Sequence, residues 1–582
     1  MAINVLMASR GQRVHVATTT RKYKDKVYTT HLLRRSYRED GQVKNETVGN
    51  LSHLPDEVIE LIRRALKGEA MGAVEESFEV IASASHGHVK AVEVAMRKLG
   101  IAALLSSKPC AESRLVQAMI AARIVAPNTK LATTRLWHTS TLAEEFGVDG
   151  ASEDELYEAM DWLLERQPAI EKKLAARHVS SGSLVLYDLT SSYFEGRTCP
   201  LAKLGYSRDG KKDKLQVNYG LLTDARGCPF AVSVYEGNVA DTRTLMDQVV
   251  RLRDDFGIER IVLVGDRGMI SQKRIEELRA LGGVDWISAL RSGQIRSLMN
   301  DGKIQLGLFD ERNLFELTHP DFPGERLIAC RNPELAKLRA HKRADLLAAT
   351  AAELERVKSM VERGRLRGRD KIGVRVGRVI NKYKVAKHFD LEIEDDSFAY
   401  RVRDQEVAAE AALDGIYVVR SSLSKKQMNG PDTVRAYKGL SAVERAFRSI
   451  KTVDLKVRPI HHRLEQRVRA HIFLCMLAYY VEWHMREAWR SLLFSDENLE
   501  AKRTRDPVAP ARRSESAEEK ADTKLLPDGS PVHSFGTLLA ELSTIVRNTC
   551  RSASAPDNTF SLVTTTTAEQ QRALSLLDKI KV

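Results

Sequence analysis

The pattern of apolar and polar positions predicts an α/β protein with an all-β start. Residues 13–50 are rich in Val, Thr and Tyr, and a Glu-Asp-Gly-Gln turn interrupts them, which is typical of antiparallel strands. From 55 to about 180 the apolar residues recur at helical spacing. The first predicted helix has Pro55 just inside its start and Gly68 after its end, as helix termini favour.

The segment from 183 to 290 predicts the element order β-β-β-α-β-α-β. Its strands are SLVLYDLTSSYF, KLQVNYGLLTD, CPFAVSVYEG, RIVLVGD and VDWISAL. Three antiparallel strands that lead into a parallel α/β continuation match the ribonuclease-H-like topology. In that topology the first and fourth strands are neighbours. We therefore expect Asp188, at the far end of the first strand, to lie close to Asp266, at the end of the fourth.

Shifts in composition divide the chain into six regions. They are a β-rich region (1–54), a helical region (55–180), the first part of the core (181–291), an insertion with a long helix, a basic segment and strands (292–435), a helical completion of the core (436–495), and a polar linker with a C-terminal tail (496–582).

Charge and cysteine content narrow the function classes. Lys and Arg number 91 against 78 Asp and Glu, a net charge of +13, which suits a nucleic-acid partner and also an ordinary basic protein. The six cysteines form no C-x-x-C pair, so no redox motif is expected. A disulfide framework is not expected in so long a chain, and we therefore expect a reducing compartment. No signal peptide is evident, and the most apolar run is too short to span a membrane. We expect a cytoplasmic protein.

A third carboxylate, Glu444, begins a predicted helix that follows the strand GIYVVRSSL and could pack against the same sheet edge. Converging carboxylates repel one another and need a counter-charge. Oxygen ligands without His or Cys suit Mg²⁺ or Mn²⁺, and two such ions can act on both oxygens of an in-line phosphodiester displacement. Lys451 lies seven residues after Glu444 on the same predicted helix face, within reach of a phosphate, and Tyr437 precedes that helix.

These residues resemble a bacterial insertion-sequence transposase of the DDE type, and more narrowly the IS-four-like group with a Tyr-x2-Arg-x3-Glu-x6-Lys signature. Tyr437, Glu444 and Lys451 have the required spacing, whereas Leu440 replaces the arginine, a charge that Arg445 or Arg448 could supply. The blocks YDLTSSYFEG and VGDRGM resemble those around the family's two aspartates. The likeness runs from about 181 to 490.

The resemblance implies a ribonuclease-H-like core interrupted before the catalytic glutamate. It implies that Asp188, Asp266 and Glu444 are catalytic and together bind a pair of Mg²⁺ or Mn²⁺ ions. Nucleic-acid contacts are expected from Tyr437, Arg448, Lys451, Arg267 and His462. The expected partners are double-stranded DNA, as element ends and as target, and a second copy of the chain on that DNA. The region 55–180 is expected to bind the ends.

Three further sequence features have more than one interpretation. GYSRDGKK, at 205–212, almost fits a phosphate-binding loop, but Lys212 replaces the hydroxyl residue and a strand follows, so a basic turn is favoured. His461, His462 and His471 lack zinc-like spacing. The basic run 363–387 is either a DNA contact or a solvated face. A metal nuclease without strand transfer and an inert, domesticated DNA-binding protein both stay open as alternatives.

Overall fold

The computed structural model describes residues 13–24, 26–39, 41–68, 78–309, 313–509, 512–552 and 557–581. The chain divides into two units, one formed by residues up to Ser83 with Arg547–Thr564, the other by Ala84–Val546 with Thr565–Val582. Among the described residues, no helix is long and apolar enough to cross a membrane. The sites discussed below lie within the second unit.

The strands are numbered in chain order over the described residues. They are β1 (Arg13–Tyr23), β2 (Lys26–Glu39), β3 (Gln42–Asn50), β4 (Phe78–Ser85), β5 (Leu184–Tyr193), β6 (Gln216–Thr223), β7 (Pro229–Glu236), β8 (Ile261–Val264), β9 (Val284–Ala289), β10 (Leu314–Leu317), β11 (Arg326–Arg331), β12 (Phe389–Ile393), β13 (Phe398–Val402), β14 (Ile416–Ser421), β15 (Val546–Ser552) and β16 (Thr559–Val563).

The α-helices of the same residues are numbered likewise. They are α1 (Asp56–Leu66), α2 (Gly87–Lys98), α3 (Ile101–Leu105), α4 (Ala111–Val125), α5 (Lys130–Arg135), α6 (Leu142–Phe146), α7 (Glu153–Glu165), α8 (Gln167–His178), α9 (Asp241–Val250), α10 (Gln272–Leu281), α11 (Ser292–Asn300), α12 (Pro333–Glu362), α13 (Arg369–Tyr383), α14 (Asp404–Ala411), α15 (Gly430–Lys438), α16 (Leu440–Arg448), α17 (Glu465–Ala488), α18 (Leu499–Thr504), α19 (Glu515–Thr523), α20 (Phe535–Ser543) and α21 (Ala568–Leu577). Two π-helical turns, Arg251–Asp255 and Ser449–Val453, extend α9 and α16.

The first unit begins with the predicted antiparallel strands. β1, β2 and β3 form one sheet in that order, and α1 follows with acidic residues in its first turn and basic residues in its last. That charge placement complements the helix dipole. The predicted β-rich start and first helix are confirmed. The predicted helical region after them contains one strand that was missed, β4, which pairs in a sheet with β15 and β16.

The central sheet of the second unit carries the core. Over the described residues it has the strand order β10-β11-β14-β9-β8-β5-β6-β7. β5 pairs antiparallel with β6 and parallel with β8, and β8 pairs parallel with β9. The ribonuclease-H-like prediction is confirmed, including the neighbouring first and fourth strands. The apolar run at 472–481 lies in α17, a buried helix that packs on α4, α7 and β7.

The predicted strand SLVLYDLTSSYF is confirmed as β5, but the placement of Asp188 at its far end is wrong. The parallel pairing with β8 covers only Leu184–Leu186, but the antiparallel pairing with β6 continues to Tyr193 opposite Gln216. The Ser and Thr residues after Asp188 stay in the strand because their hydroxyls find partners, as Ser192 Oγ does 2.9 Å from the Tyr219 hydroxyl. Asp188 therefore lies beyond the parallel ladder but within the strand.

One part of the insertion adds strands to the core sheet, and another part forms a separate apolar cluster. β10 and β11 extend the sheet beside β14, the predicted returning strand. α12 and α13 enclose a separate apolar cluster with β12 and β13. α13 covers most of the basic run, and its Ile372, Val376 and Ile380 are buried. The basic side chains Arg375 and Arg378 on its other side are exposed.

Two further predictions are corrected. The long helix expected from 436 to about 495 is interrupted, because the chain leaves α16 through a π-helical turn and α17 begins only at Glu465. Pro459 lies between them and cannot continue a helix. The segment 496–582, predicted as a polar linker and tail, contains α18 to α21 and two strands. Its apolar residues Phe535, Leu542 and Leu577 are buried in the main core.

Trp489 tests whether this C-terminal part is folded onto the core. The indole is fully buried, and its Nε1 donates to the carbonyl of Ala573 at 2.9 Å. We expect Trp489→Ala to lower the free energy of unfolding by about 3–5 kcal/mol, measured by urea denaturation. Leu525→Ala is the matched control, because Leu525 is 47% exposed. Equal effects of the two changes would show that the C-terminal segment is not docked.

Candidate active site

An open pocket of about 410 Å³ at the edge of the central sheet gathers the three predicted carboxylates. We call it the carboxylate pocket. Its lining residues are Asp188, Leu189, Thr190, Arg208, Asp209, Asp241, Asp266, Glu444, Phe447, Arg448, Lys451, Thr452 and Arg458.

Three different elements supply the acids. Asp188 lies in β5, Asp266 follows the end of β8 by two residues, and Glu444 lies on α16. Because β5 and β8 run parallel as neighbours, their acids face one edge of the sheet. α16 packs on β5 through a buried face that includes Val443 and Phe447, which leaves Glu444 exposed on the side of the pocket.

Asp188 is the acid most affected by its surroundings. Its pKa is raised to about 7, chiefly by burial and also by the negative charges of Asp266 and Glu444, while the Leu189 amide and Arg208 oppose the rise. The Leu189 amide donates to Asp188 Oδ1 at 2.8 Å. The carboxylate is therefore poised between its charged and neutral forms near neutral pH.

Asp266 is held by the turn that follows β8. Its Oδ1 accepts from the backbone amides of Gly268 and Met269, the second at 3.3 Å. A Cβ added at Gly268 would lie 2.9 Å from that oxygen. The turn thus fixes the position of the carboxylate while the residue itself stays exposed.

The three carboxylates share a pocket without converging on one point. Their oxygens do not form a set in which all atoms lie within 4.8 Å of one another. Mutual repulsion accounts for this spacing when nothing positive lies between them.

A buried ion-pair network borders the acids. Lys451 Nζ lies 2.5 Å from Asp209 Oδ1 and donates to the carbonyl of Ser191 at 2.6 Å, and Arg458 pairs with the same carboxylate. The side chain of Asp209 is 1% exposed. Lys451 lines the pocket, but it lies in the π-helical turn and its ammonium is held by these partners.

The other predicted DNA contacts fall in different places. Arg448 is exposed and lines the carboxylate pocket, whereas Arg445 does not line it, and Leu440 packs partly buried against the core. Tyr437 and Arg267 line a neighbouring pocket of about 420 Å³ with Lys438. Burial raises the pKa of the Tyr437 hydroxyl, and the charge of Asp266 raises it further.

His462 lines a larger pocket, of about 960 Å³, which we call the basic pocket. Its cationic lining residues are Arg123, Lys130, Lys456, Arg458, Arg463 and Arg467, and Glu153 and Asp154 also line it. Burial, and then the charges of Lys130 and Arg123, lower the pKa of His462 to about 3. The imidazole is therefore neutral at neutral pH. Arg458 lines both pockets, so they adjoin.

The sequence did not point to four charged residues of the pocket: Arg208, Asp209, Asp241 and Arg458. Arg208 Nη2 donates to both carboxylate oxygens of Asp241 at 2.6 Å. The Arg208 amide donates to Ser191 Oγ at 3.0 Å, which anchors its loop on β5. The available signal was the turn GYSRDGKK, which carries Arg208 and Asp209 and is predicted as a basic turn rather than a phosphate-binding loop.

Fold and pocket define a class, an α/β enzyme of ribonuclease-H-like topology with three acids at one sheet edge. The transposase DDE domain family matches residues 180–481, and the N-terminal domain of the IS1634 family transposases matches residues 16–77. The chain belongs to the DDE transposase family and is a DNA transposase of the insertion-sequence type. Enzymes of this family use divalent metal ions. The finer IS-four-like signature stays a prediction.

Comparison with solved structures gives a piggyBac transposase synaptic complex with hairpin DNA, determined by cryo-electron microscopy. The match has a TM-score of 0.32 and 10% identity and covers 78% of this chain and 79% of that chain. A search of curated proteins found no match. The family assignment rests on the sequence matches.

Asp188 and Asp209 offer a matched stability test. Because the folded-state pKa of Asp188 is raised above its ordinary value, the folded protein loses stability as pH rises from about 4 to about 7. Without divalent ions, Asp188→Asn should therefore stabilise the protein by roughly 1–3 kcal/mol at about pH 8 and little at about pH 4. Urea unfolding in a chelator measures both.

Asp209→Asn should do the opposite. It leaves Lys451 and Arg458 without their buried carboxylate, so we expect a loss of about 2–4 kcal/mol at neutral pH. If both asparagine variants destabilise the protein alike at the higher pH, Asp188 does not carry the unfavourable charge described above.

Proposed function

We propose that the carboxylate pocket is where this transposase cleaves DNA strands and joins the freed 3′-hydroxyl to target DNA. Asp188, Asp266 and Glu444 are assigned as the catalytic acids. The observation that carries this proposal is their presence in one pocket although they come from β5, β8 and α16. The raised pKa of Asp188 supports it, because charge accumulated without compensation favours a cationic ligand.

The residues fit a divalent metal. The acids present only hard oxygen donors, two of them are exposed to solvent, and the pocket is open to solvent. Asp188, Asp266 and Glu444 would hold Mg²⁺ or Mn²⁺, as two ions. When bound, such ions supply the positive charge that stabilises the attacking and leaving oxygens of phosphodiester displacement.

Side chains around the acids position the DNA strand. Arg448 is exposed one turn after Glu444 and can contact a phosphate directly. Arg448 thereby supplies the positive charge that is missing where Leu440 replaces the signature arginine. Lys451 and Arg458 keep positive charge at the rim while Asp209 holds them in place. Tyr437 and Arg267, in the neighbouring pocket, are assigned to the same strand further along.

The basic pocket continues the DNA path beyond Arg458. Arg123 and Lys130 are buried there, and no described carboxylate forms an ion pair with either. Burial, and then Arg123, lower the pKa of Lys130 to about 7. A DNA phosphate would relieve this cost. His462 contributes as a neutral imidazole, a hydrogen-bonding partner with no charge. Both cations belong to region 55–180, which supports the assignment of DNA-end binding to that region.

The substrate is assigned as the double-stranded inverted-repeat ends of an insertion sequence, with a second double strand as target. Because an element has two ends that must be cut together, a homodimer on DNA is part of the proposal. The plain nuclease and the inert DNA-binding protein are the competing functions. A transposase joins the cleaved strand to target DNA, whereas a plain nuclease does not. Cleavage of any strand would exclude the inert DNA-binding protein.

Removal of any one acid should abolish catalysis. We expect Asp188→Ala, Asp266→Ala and Glu444→Ala each to reduce Mg²⁺-dependent nicking and strand transfer by about 10³-fold or more. DNA carrying the element's own ends is the substrate, and a gel-shift measurement should show retained binding. Glu276→Gln, an exposed acid on α10 outside the pocket, is the control. Cleavage with no joined product in the unaltered protein would make it a nuclease.

Lys130 tests the DNA path. Lys130→Met should weaken DNA binding and reduce the slope of log K against log salt by about 1, because one phosphate contact is lost. The same change should not lower the thermal stability of the free protein, because burial of this charge is costly. Lys172→Met, an exposed lysine on α8, should leave the slope unchanged. An unaltered slope in Lys130→Met would remove the basic pocket from the DNA path.

A further inference from the structure

A second group of chemically reactive side chains lies in the core, apart from the carboxylate pocket. His178, Cys228 and His484 each place one ligand atom so that all three atoms lie within 4.8 Å of one another. Among the residues that the structure describes, this is the one set of three His, Cys, Asp or Glu residues with that property. None of the three lines the carboxylate pocket.

Three elements that are distant in sequence bring these residues together. His178 is the last residue of α8, Cys228 immediately precedes β7, and His484 lies on α17. The His178 side chain is 3% exposed, and Cys228 and His484 are buried. No local sequence motif marks the group, because each residue comes from a separate part of the chain.

The distances suit a tetrahedral metal site. Cys228 Sγ lies 3.7 Å from His484 Nε2. Zinc bonds of about 2.3 Å to sulfur and about 2.0–2.1 Å to nitrogen, at a tetrahedral angle, separate the two ligand atoms by about 3.6 Å. A weak thiol–imidazole hydrogen bond also fits this distance, so the distance alone does not decide.

His178 distinguishes a metal site from ordinary core hydrogen bonding. Its Nε2 lies 3.0 Å from the hydroxyl of Tyr480. Its Nδ1 is buried and has no hydrogen-bond partner, although Asp224 Oδ2 lies 3.9 Å away. A buried nitrogen left unpaired is costly, whereas a coordinated nitrogen is satisfied. The Tyr480 contact to the other nitrogen is the outer hydrogen bond that orients a histidine ligand.

We infer that His178 Nδ1, Cys228 Sγ and His484 Nε2 form a structural site for a divalent metal of intermediate softness, Zn²⁺. One thiolate and two imidazoles are a donor set that zinc prefers and that magnesium does not. Asp224 Oδ2, 3.9 Å from His178 Nδ1, accepts from Arg226 at 2.9 Å and lies outside this set of three ligands. On coordination the Cys228 thiol gives its proton to solvent.

Such a site would connect α8, the β6–β7 turn and α17. The turn matters for the transposase because Gly227, beside Cys228, packs against α16: a Cβ added at Gly227 would lie 2.6 Å from the Cβ of Ala442. Ala442 is two residues from Glu444. The metal would therefore fix the turn against which the helix of the third acid packs, in a positioning role.

The test begins with metal content. The untagged full chain, expressed with added zinc and dialysed, should contain about one zinc ion per chain by elemental mass spectrometry. Cys228→Ser and His484→Ala should lose it, and Cys330→Ser, a buried cysteine of β11, should keep it. Asp188→Ala should also keep it, which separates this site from the proposed catalytic metal.

Cobalt substitution of the unaltered protein avoids variants that fail to fold. Co²⁺ added to the metal-stripped chain should give intense visible bands of tetrahedral coordination together with thiolate-to-cobalt charge transfer. Chelation should lower the melting temperature, and Zn²⁺ should restore it while Mg²⁺ should not. Zinc well below one ion per chain, with a weak octahedral cobalt spectrum, would overturn the inference, as would bound zinc that Cys228→Ser retains.

Discussion

The parallel pairing of β5 with β8 is the constraint on which the pocket depends. It is short, from Leu184 opposite Val262 to Leu186 opposite Val264, but it fixes the direction and the offset of both strands. Their acids consequently meet at one edge. β5 continues past the end of this ladder because β6 still supports it, so Asp188 lies where one side of its strand has no hydrogen-bonded neighbour. That missing neighbour is what leaves room for the pocket.

The same arrangement determines how charge is distributed. Burial, and then the nearby charges of Asp266 and Glu444, raise the pKa of Asp188. A lysine paired with Asp188 would lower that pKa again. The protein instead pairs three of its pocket cations with other acids: Asp209 holds Lys451 and Arg458, and Asp241 holds Arg208. A lysine bound directly to Asp188 would compete with a metal ion. The acids keep their negative potential, and the cations are held beside them at fixed positions.

The sequence predicted the parts of this structure that depend on local pattern. Alternating and short apolar runs placed β5 to β9 correctly, and their order implied the neighbouring acids. The extent of β5 was predicted, because SLVLYDLTSSYF covers Leu184–Tyr193, but Asp188 was wrongly placed at its far end. The partners that hold Ser191 and Ser192 in the strand, in the loop at 206–209 and in β6, are distant in sequence. The folded C-terminal segment was not predicted, because its charged residues outnumber the few apolar residues, such as Phe535, that pack it against the core. Asp209 and Arg458 became recognisable only through their contacts.

Glu444 is positioned differently from the two aspartates, because it lies on a helix and not in or after a strand of the sheet. The long insertion separates β9 from α16 in sequence, yet β14 returns antiparallel beside β9 and delivers the chain to α15. Small residues then let α16 approach the sheet closely: Gly439 lies near Leu186, and Ala442 meets Gly227, whose φ of +87° excludes most other residues there. The position of the third acid thus depends on close packing against β5 and the β6–β7 turn. The α12–α13 cluster of the insertion can consequently vary without moving Glu444, provided that β14 keeps its place in the sheet.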